Sequence, residues 1–488
     1  MSQQNERQEL AKEMNLGDVL ALAFGTMIGW GWIMLAGQWV GTGGVGGAIL
    51  AFALGAVMCM FVGLCYAELT PALPLSGGEL VFSFRAMGYN ASWFTGWMIT
   101  LAYVGVAAWE GPAISNALDY LFAPHLPQGK ILYTLQGSDV GATFLIIAIA
   151  GALILTIINI MGVKTAATFQ TVATLAMAAG GVAFFICGLV RGNTDYLVPA
   201  FTNSKGLVAV ILMVPAMFVG FDVIPQAAEE MDIPLNQIGK VIVISIIMAA
   251  VWYMLMVFAC GISAPADVRY DANDPSKIGV AEAFTYAMNS PVFGKIIIVA
   301  AMCGILTSWN GFFIGASRVL FSMGRAKMLP KWFAHVNAKH KSPDNAIILV
   351  GIVCCLSPLL GRGALVWFVD AAAMGTVVAY FMVSLSYTIL KKKEPELERP
   401  YENSGTGGFI IGIVAVCVAF FFLYLYLPLG SPAPLTAIEW GIVGAWIVLG
   451  IILWLVNKRT IPKKGTSEYE AWAKDVEFQM FGEKYRRI

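Results

Sequence analysis

Apolar positions along this chain gather into long runs, separated by short polar or charged stretches. Twelve runs are long enough to cross a bilayer: 15–43, 46–72, 92–122, 140–160, 166–190, 206–230, 238–263, 292–324, 345–361, 365–390, 408–428 and 436–457. At ~1.5 Å rise per residue, about 20 helical residues span a ~30 Å hydrocarbon core. The pattern therefore predicts an all-α integral membrane protein with twelve transmembrane helices. It divides the chain into an N-terminal stretch at 1–14, five spans within 15–190, five within 206–390, two more within 408–457, and a tail at 458–488. Residues 2–12 are polar and mixed in charge, unlike a cleavable leader, so the first span is expected to stay in the protein.

Two of these runs are interrupted. Gly25-Thr26-Met27-Ile28-Gly29-Trp30-Gly31-Trp32 lies about ten residues into the first, and each of its glycines weakens a helix by ~1 kcal/mol relative to alanine. Pro215-Ala216-Met217-Phe218-Val219-Gly220-Phe221-Asp222-Val223-Ile224-Pro225 lies at a similar depth in the sixth. Irregular backbone at membrane depth is tolerated where protein buries it or where it lines a cavity. Glycines in one span alone would equally suit close helix packing. The matching interruption five spans later favours a binding break. Such pairs point to a 5+5 inverted repeat with its site at the midplane. Broken half-helices expose N–H groups at one end and C=O groups at the other. That pair suits a small zwitterionic amino acid or an organic amine better than a sugar or an inorganic anion.

Composition agrees with the membrane reading: 58% of the 488 residues are hydrophobic and only 12% charged, against about 25% charged in soluble domains. Lysine plus arginine equals aspartate plus glutamate, at 30 each, so nucleic acid is not an expected partner. The eight cysteines lie in apolar runs without metal spacing, and the three histidines fall in loops. No zinc-protease, nucleotide-binding or hydrolase motif occurs, so neither an enzyme nor a resident metal or cofactor is expected. With both termini cytoplasmic, all but seven of the 30 basic residues face the cytoplasm; the exceptions are Lys130, Arg191, Lys205, Arg269, Lys277, Lys295 and Arg362. The bilayer expected is the plasma membrane.

Four stretches resemble the amino acid–polyamine–organocation transporter superfamily. Gly25 to Ile33 resembles its G-S-x-I-G-S-G-I-F pattern. Tyr66-Ala67-Glu68-Leu69 with Pro74-Leu75-Ser76-Gly77-Gly78-Glu79 is similar to the loop after its second span. Gly220-Phe221-Asp222 with Ala228-Glu229-Glu230 resembles its sixth span, and Gly315-Ala316-Ser317-Arg318-Val319-Leu320 with Met328-Leu329-Pro330 the end of its eighth. The resemblance covers about residues 15–402. It implies the LeuT-like fold of ten core helices plus two, with broken helices one and six, working by alternating access.

It also assigns site residues. Thr26, Met27, Gly29 and Gly31 match the family's unwound backbone, with N–H groups around Gly29–Gly31 placed to hold a substrate carboxylate. Phe218 matches a gating aromatic, with core packing as the alternative, and Gly220 opens the backbone beside it. Asp222 is a mid-membrane carboxylate and hence a functional candidate. It is suited to a substrate ammonium, to proton coupling, or to fixing the broken helix. Glu110, beside Pro112 in the third span, faces the site or pairs with a structural donor. Tyr103 and Phe312 are weaker binding candidates. Glu229, Glu230 and Arg318 are candidates for a cytoplasmic gate, although exposed pairs of this kind are usually a screened surface network worth ~0–1 kcal/mol each.

Three departures from the family matter. Trp30 stands where many relatives carry a small residue, which favours a small substrate or an amine without a carboxylate, with an orientation away from the pocket into packing as the alternative. Met177 stands where several relatives carry a lysine that replaces a sodium ion, while Thr307 and Ser308 offer sodium-binding hydroxyls. Sodium, protons or exchange without an ion all remain open. Gly324-Arg325-Ala326-Lys327 replaces the family's A-R-D-G run. The reading is a secondary transporter for an amino acid or related organic amine; the alternative is a polyamine or small alkylamine permease. A transporter-fold sensor would need a signalling domain, which the tail is too short to supply. Tail residues Tyr469, Trp472, Val476 and Met480 recur at helical spacing. They predict an amphipathic helix on the membrane surface, or docked on the protein's own loops. The stretch 264–291 is expected to cover an outer vestibule or to be a solvated linker.

Overall fold

The computed structural model describes residues 7, 9–122, 129–135, 138–271, 278–403, 405–432 and 434–485. The chain forms α1 (Leu16–Ile28), α2 (Gly31–Gly43), α3 (Val45–Ala72), α4 (Glu79–Met87), α5 (Tyr89–Leu121), α6 (Ala142–Ile160), α7 (Val163–Arg191), α8 (Ser204–Met217) and α9 (Val223–Gln226). There follow α10 (Leu235–Ser263), α11 (Ala266–Arg269), α12 (Gly279–Met288), α13 (Pro291–Arg325), α14 (Asp344–Leu356), α15 (Gly361–Lys393), α16 (Gly405–Tyr426), α17 (Ala437–Lys458) and α18 (Ser467–Phe481). Among the described residues, nine helices are long and apolar enough to cross a membrane, or ten if α1 and α2, bent by 45° at their junction, count as one span. The chain is thus a mostly helical, multi-pass membrane protein.

Every expected run contains helix, but among the described residues, with α1 and α2 counted as one span, two of the twelve fall short of a full-length helix. The sixth run divides into the 14-residue α8, a turn, and the four-residue α9. The ninth is the 13-residue α14 continued by a 3-10 turn. Both are shorter apolar helices. Nor is the chain wholly helical: β1 (Ile131–Leu135) and β2 (Ser138–Gly141) pair antiparallel between α5 and α6, with Thr134 opposite Asp139.

α1, α5 and α13 lie at the centre. α1 packs on α7 and α13, α5 on α13 and α15, and α3 on α8 and α10. Trp32, Trp39, Tyr66, Tyr103, Tyr253 and Trp309 are fully enclosed there. The periphery shows the opposite pattern. Ile146, Leu153 and Ile157 on α6, Val172 and Leu175 on α7, and Ile452 and Val456 on α17 are exposed, as lipid-facing helices require.

Two elements settle between the alternatives left by sequence. α18 does not lie free on a membrane surface. Its Trp472 packs edge-on against Tyr89 at 5.3 Å, and Phe481 against Phe84 at 5.6 Å. Lys327 pairs with Asp475, and the Arg85 guanidinium donates to the Tyr485 carbonyl at 2.8 Å. The aromatic face, which sequence leaves to lipid or to the protein's own loops, is used on α4 and α5. In the stretch 264–291, α12 buries Val280, Ala281 and Phe284 against α2, α7 and α13, so this part is packed structure and not a solvated linker; residues 272–277 lie outside the described ones.

Candidate functional site

Both interruptions are real breaks in helix geometry, and they touch. α1 ends on Gly29, whose φ of 44° lies in the left-handed region that glycine adopts without strain. α2 begins two residues later, so the N–H groups of Gly31 and Trp32 have no acceptor within their own helix. α8 stops after Pro215 and Met217, and the turn at 218–222 passes through Gly220 at φ 135°. A Cβ on Gly220 would lie 2.7 Å from the Met27 amide nitrogen and 2.9 Å from the Thr26 carbonyl carbon. Gly220 therefore lets one break lie directly on the other. Gly220→Ala is expected to cost about 1–3 kcal/mol of stability through strain and displacement. Thermal unfolding of the purified protein measures it, and wild-type stability would contradict the close approach.

The remaining binding candidates surround this contact. Thr26 is buried, and its hydroxyl donates to the Leu22 carbonyl at 2.6 Å, closing a turn of α1. Met27 is buried, and its carbonyl accepts from the Tyr253 hydroxyl at 2.8 Å; the Ile28 carbonyl lies 3.3 Å from the same donor. Half-buried Trp30 occupies the N-cap of α2, and a Cβ on Gly31 would lie 2.9 Å from the Met217 sulfur, at the end of α8. Phe218 is fully buried with its ring 6.0 Å from Tyr253, and Phe312 packs 5.8 Å from Tyr103.

Asp222 sits just past the break in a cage of donors. Its Oδ1 accepts from the Gly220 N–H at 2.7 Å and the Tyr380 hydroxyl at 3.3 Å, and its Oδ2 accepts from the Tyr103 hydroxyl at 2.8 Å. The tyrosine oxygen is also 3.0 Å from the Asp222 carbonyl. Phe221 and Tyr380 stack at 5.4 Å, and Tyr66 meets both edge-on. The cage is assembled from α3, α5, α15 and the broken sixth run. It holds the turn of that run in place.

Glu110 lies beside the other break. It is buried and accepts a hydrogen bond from Ser308 on α13, whose Cβ would be 3.3 Å from a Cβ on Gly29. The neighbouring Thr307 hydroxyl is 2.9 Å from the Gly25 carbonyl and 2.9 Å from that of Gly304. Carbonyl and hydroxyl oxygens thus converge where α1 meets α13. Met177 is buried with its sulfur close to Gly304.

At the end of the bundle that carries both termini, the gate candidates form buried ion pairs. Arg318 grips Glu230 with two bonds of 2.8 and 2.9 Å, and Arg325 grips Glu229 with two of 2.9 and 2.7 Å. The Arg318 and Glu230 side chains are 0% and 1% exposed, which corrects the expectation of a screened surface network. Arg7 adds a second cation to Glu229, and the Glu13 and Met14 N–H groups both reach the Glu230 carbonyl at 3.0 Å. The N-terminal segment is thereby stitched onto these ion pairs.

The run pattern singles out neither Tyr253, Tyr380 and Gln226 nor the amide chain linking Asn159, Asn310 and Gln170. Glu79 and Tyr66 fall inside a family-like stretch, where an acid between glycines and apolar residues is the one available signal.

A family model described as amino acid permease matches residues 14–455. The chain is 26% identical over 464 residues to the methylthioribose transporter of Bacillus subtilis, covering 94% of this chain and 96% of that one. It is 26% identical to the branched-chain amino acid permease BcaP of the same organism, with 92% and 94% covered. It is 25% identical to the mitochondrial cationic amino acid transporter 3 of Arabidopsis thaliana, with 82% of this chain and 66% of the relative covered.

Proposed function

This chain belongs to the amino acid permease family, and from that premise we propose that it moves an amino acid or closely related organic amine across the plasma membrane by secondary active transport. In this reading the two broken runs belong to a 5+5 inverted repeat, both termini are cytoplasmic, and alternating access opens the site at 25–31 and 218–222 to one side at a time. The observation that carries the reading is the contact of the two breaks through Gly220, with Asp222 beside one and Glu110 beside the other. Free N–H groups at the start of α2 suit a carboxylate, and two carboxyl groups suit an amine. Among the described residues neither carboxyl pairs with a lysine, arginine or histidine, which favours a positively charged group on the substrate.

The bidentate pairs of Arg318 and Arg325 form the cytoplasmic gate. Coupling is by sodium, held by the oxygens near Gly25, Thr307 and Ser308, by a proton, or by exchange without an ion. The relatives' names mark the substrates to compare: branched-chain and cationic amino acids, and methylthioribose as a compound without an amine. Ligand binding to the purified protein, read as thermal stabilisation, tests the reading. An amino acid or amine should raise the unfolding temperature. Stabilisation by methylthioribose alone would overturn the amine-directed site.

A further inference from the structure

Glu79 has no role in the reading above, yet it is fully buried at the start of α4. Its carboxyl accepts from the Tyr66 hydroxyl at 3.1 Å and from the Gln226 amide, and it lies 3.5 Å from the Tyr103 oxygen. Tyr103 is the same phenol that donates to Asp222. Two buried carboxyl groups therefore share one tyrosine. The groups facing the pair are Tyr66 from α3, Tyr103 from α5, Gln226 from α9 and Tyr380 from α15. Among the described residues, none of the ion pairs includes Glu79 or Asp222.

Counting hydrogens shows what is missing. A phenol has one, and that of Tyr103 goes to Asp222. The 3.5 Å approach of Tyr103 to Glu79 then contains no hydrogen unless Glu79 brings it. Separately, the Gln226 Oε1 is buried without a hydrogen-bond partner, on an amide whose nitrogen already touches Glu79. One buried acceptor of the cluster, the Gln226 Oε1, is therefore left unmatched, and such a group costs ~1–3 kcal/mol. A proton on Glu79 supplies the absent donor, either to the Tyr103 oxygen or, with the amide turned, to Gln226. Burial and the adjacent Asp222 push the Glu79 carboxyl well above the usual carboxylate range.

We propose that Glu79, joined to Asp222 through Tyr103, is the proton-binding group that couples transport to a proton gradient. This rests on the transport reading above. Asp222 and Gln226 belong to the broken sixth run, while Glu79 belongs to α4. Gly78 seals the two together, since a Cβ there would lie 2.8 Å from Pro225 Cβ. When the sixth run moves away during alternating access, Glu79 keeps Tyr66 but loses Gln226 and the neighbouring Asp222, and meets water. Its acid O–H then breaks, leaving a carboxylate, and the proton passes to solvent.

Infrared difference spectra of the full chain in lipid, between about pH 6 and about pH 9, test the site without transport. The wild type should show a protonated-carboxyl C=O band near neutral pH that vanishes in Glu79→Gln and shifts in frequency in Glu79→Asp. If Glu79→Gln does not fold, the shift in Glu79→Asp decides alone. No band, or a band untouched by either change, overturns the proposal. Coupling is read in liposomes with labelled L-leucine and L-lysine. With one proton per substrate, a gradient of about one pH unit supports about tenfold accumulation. Glu79→Gln should lose that accumulation and Glu79→Asp retain it. Undiminished accumulation in Glu79→Gln, or accumulation driven only by sodium, overturns the proposal. If the wild type moves no amino acid or amine, the transport reading fails, while the infrared band still decides the proton site.

Discussion

Arg318→Ala is expected to destabilise the protein by about 3–5 kcal/mol and to abolish coupled transport. The guanidinium is fully enclosed and holds both oxygens of Glu230, which is itself buried. Removing the cation leaves a carboxylate away from water with no opposite charge, so the cost is that of an orphaned ion and not of one hydrogen bond. The Glu230 backbone carbonyl also receives the Glu13 and Met14 N–H groups, so a shift of this residue loosens the N-terminal segment as well. Replacing both partners, with Arg318→Met and Glu230→Gln together, should recover most of the stability, because a buried pair removed as a unit is often nearly neutral. Transport should stay impaired, since the seal is gone. Denaturant or thermal unfolding measures the first effect. A loss below about 1 kcal/mol in the single variant would show that the pair behaves as a solvated one.

The second large effect belongs to Asp222→Asn. Asp222 accepts from an N–H and two hydroxyls, and an ionised carboxylate can accept all of them. Asparagine presents an NH2 group to one of these donors. Either the Gly220 N–H or a tyrosine hydroxyl then loses its acceptor, at ~1–3 kcal/mol. The Tyr103 hydroxyl has a second acceptor in the backbone carbonyl of residue 222 at 3.0 Å, but the Gly220 N–H is fixed by the backbone. The turn that lays the sixth run on the first should therefore loosen while the fold persists. Uptake is expected to fall by about ten- to a hundredfold, at ~1.4 kcal/mol for each factor of ten. Full uptake in a well-folded Asp222→Asn protein would remove the residue from the working site.

The two breaks are legible in sequence because glycine and proline act locally: Gly29 is the helix-ending residue, and the sixth run stops where Pro215 and Gly220 stand. Apolar runs likewise locate the helices, since lipid and core select the same residue types. Run length is less informative, because an apolar run of full length can contain a helix as short as α8 or α14. The Asp222 cage is opaque to sequence. Tyr103 and Tyr380 are 119 and 158 residues away, and tyrosine in a membrane helix is more often plain packing. Glu79 follows two glycines that suggest a loop, but it opens α4 and is covered by Tyr66, Tyr103 and Gln226 from three other helices. The acid and base residues at Glu229, Glu230 and Arg318 read as a solvated face because charge pattern says nothing of the cover that the N-terminal segment provides. The amphipathic period of α18 is evident, but periodicity is silent on whether lipid or protein meets the apolar stripe.

The central claim is that the paired breaks form a transport site for an amino acid or amine. Uptake by the purified chain in proteoliposomes, across a panel of labelled amino acids, alkylamines, polyamines and methylthioribose, with and without sodium and proton gradients, tests it most directly. The account predicts accumulation of at least one amino acid or amine, strongly reduced in Asp222→Asn. No movement of any amino acid or amine under any gradient, or movement of methylthioribose alone, would contradict it.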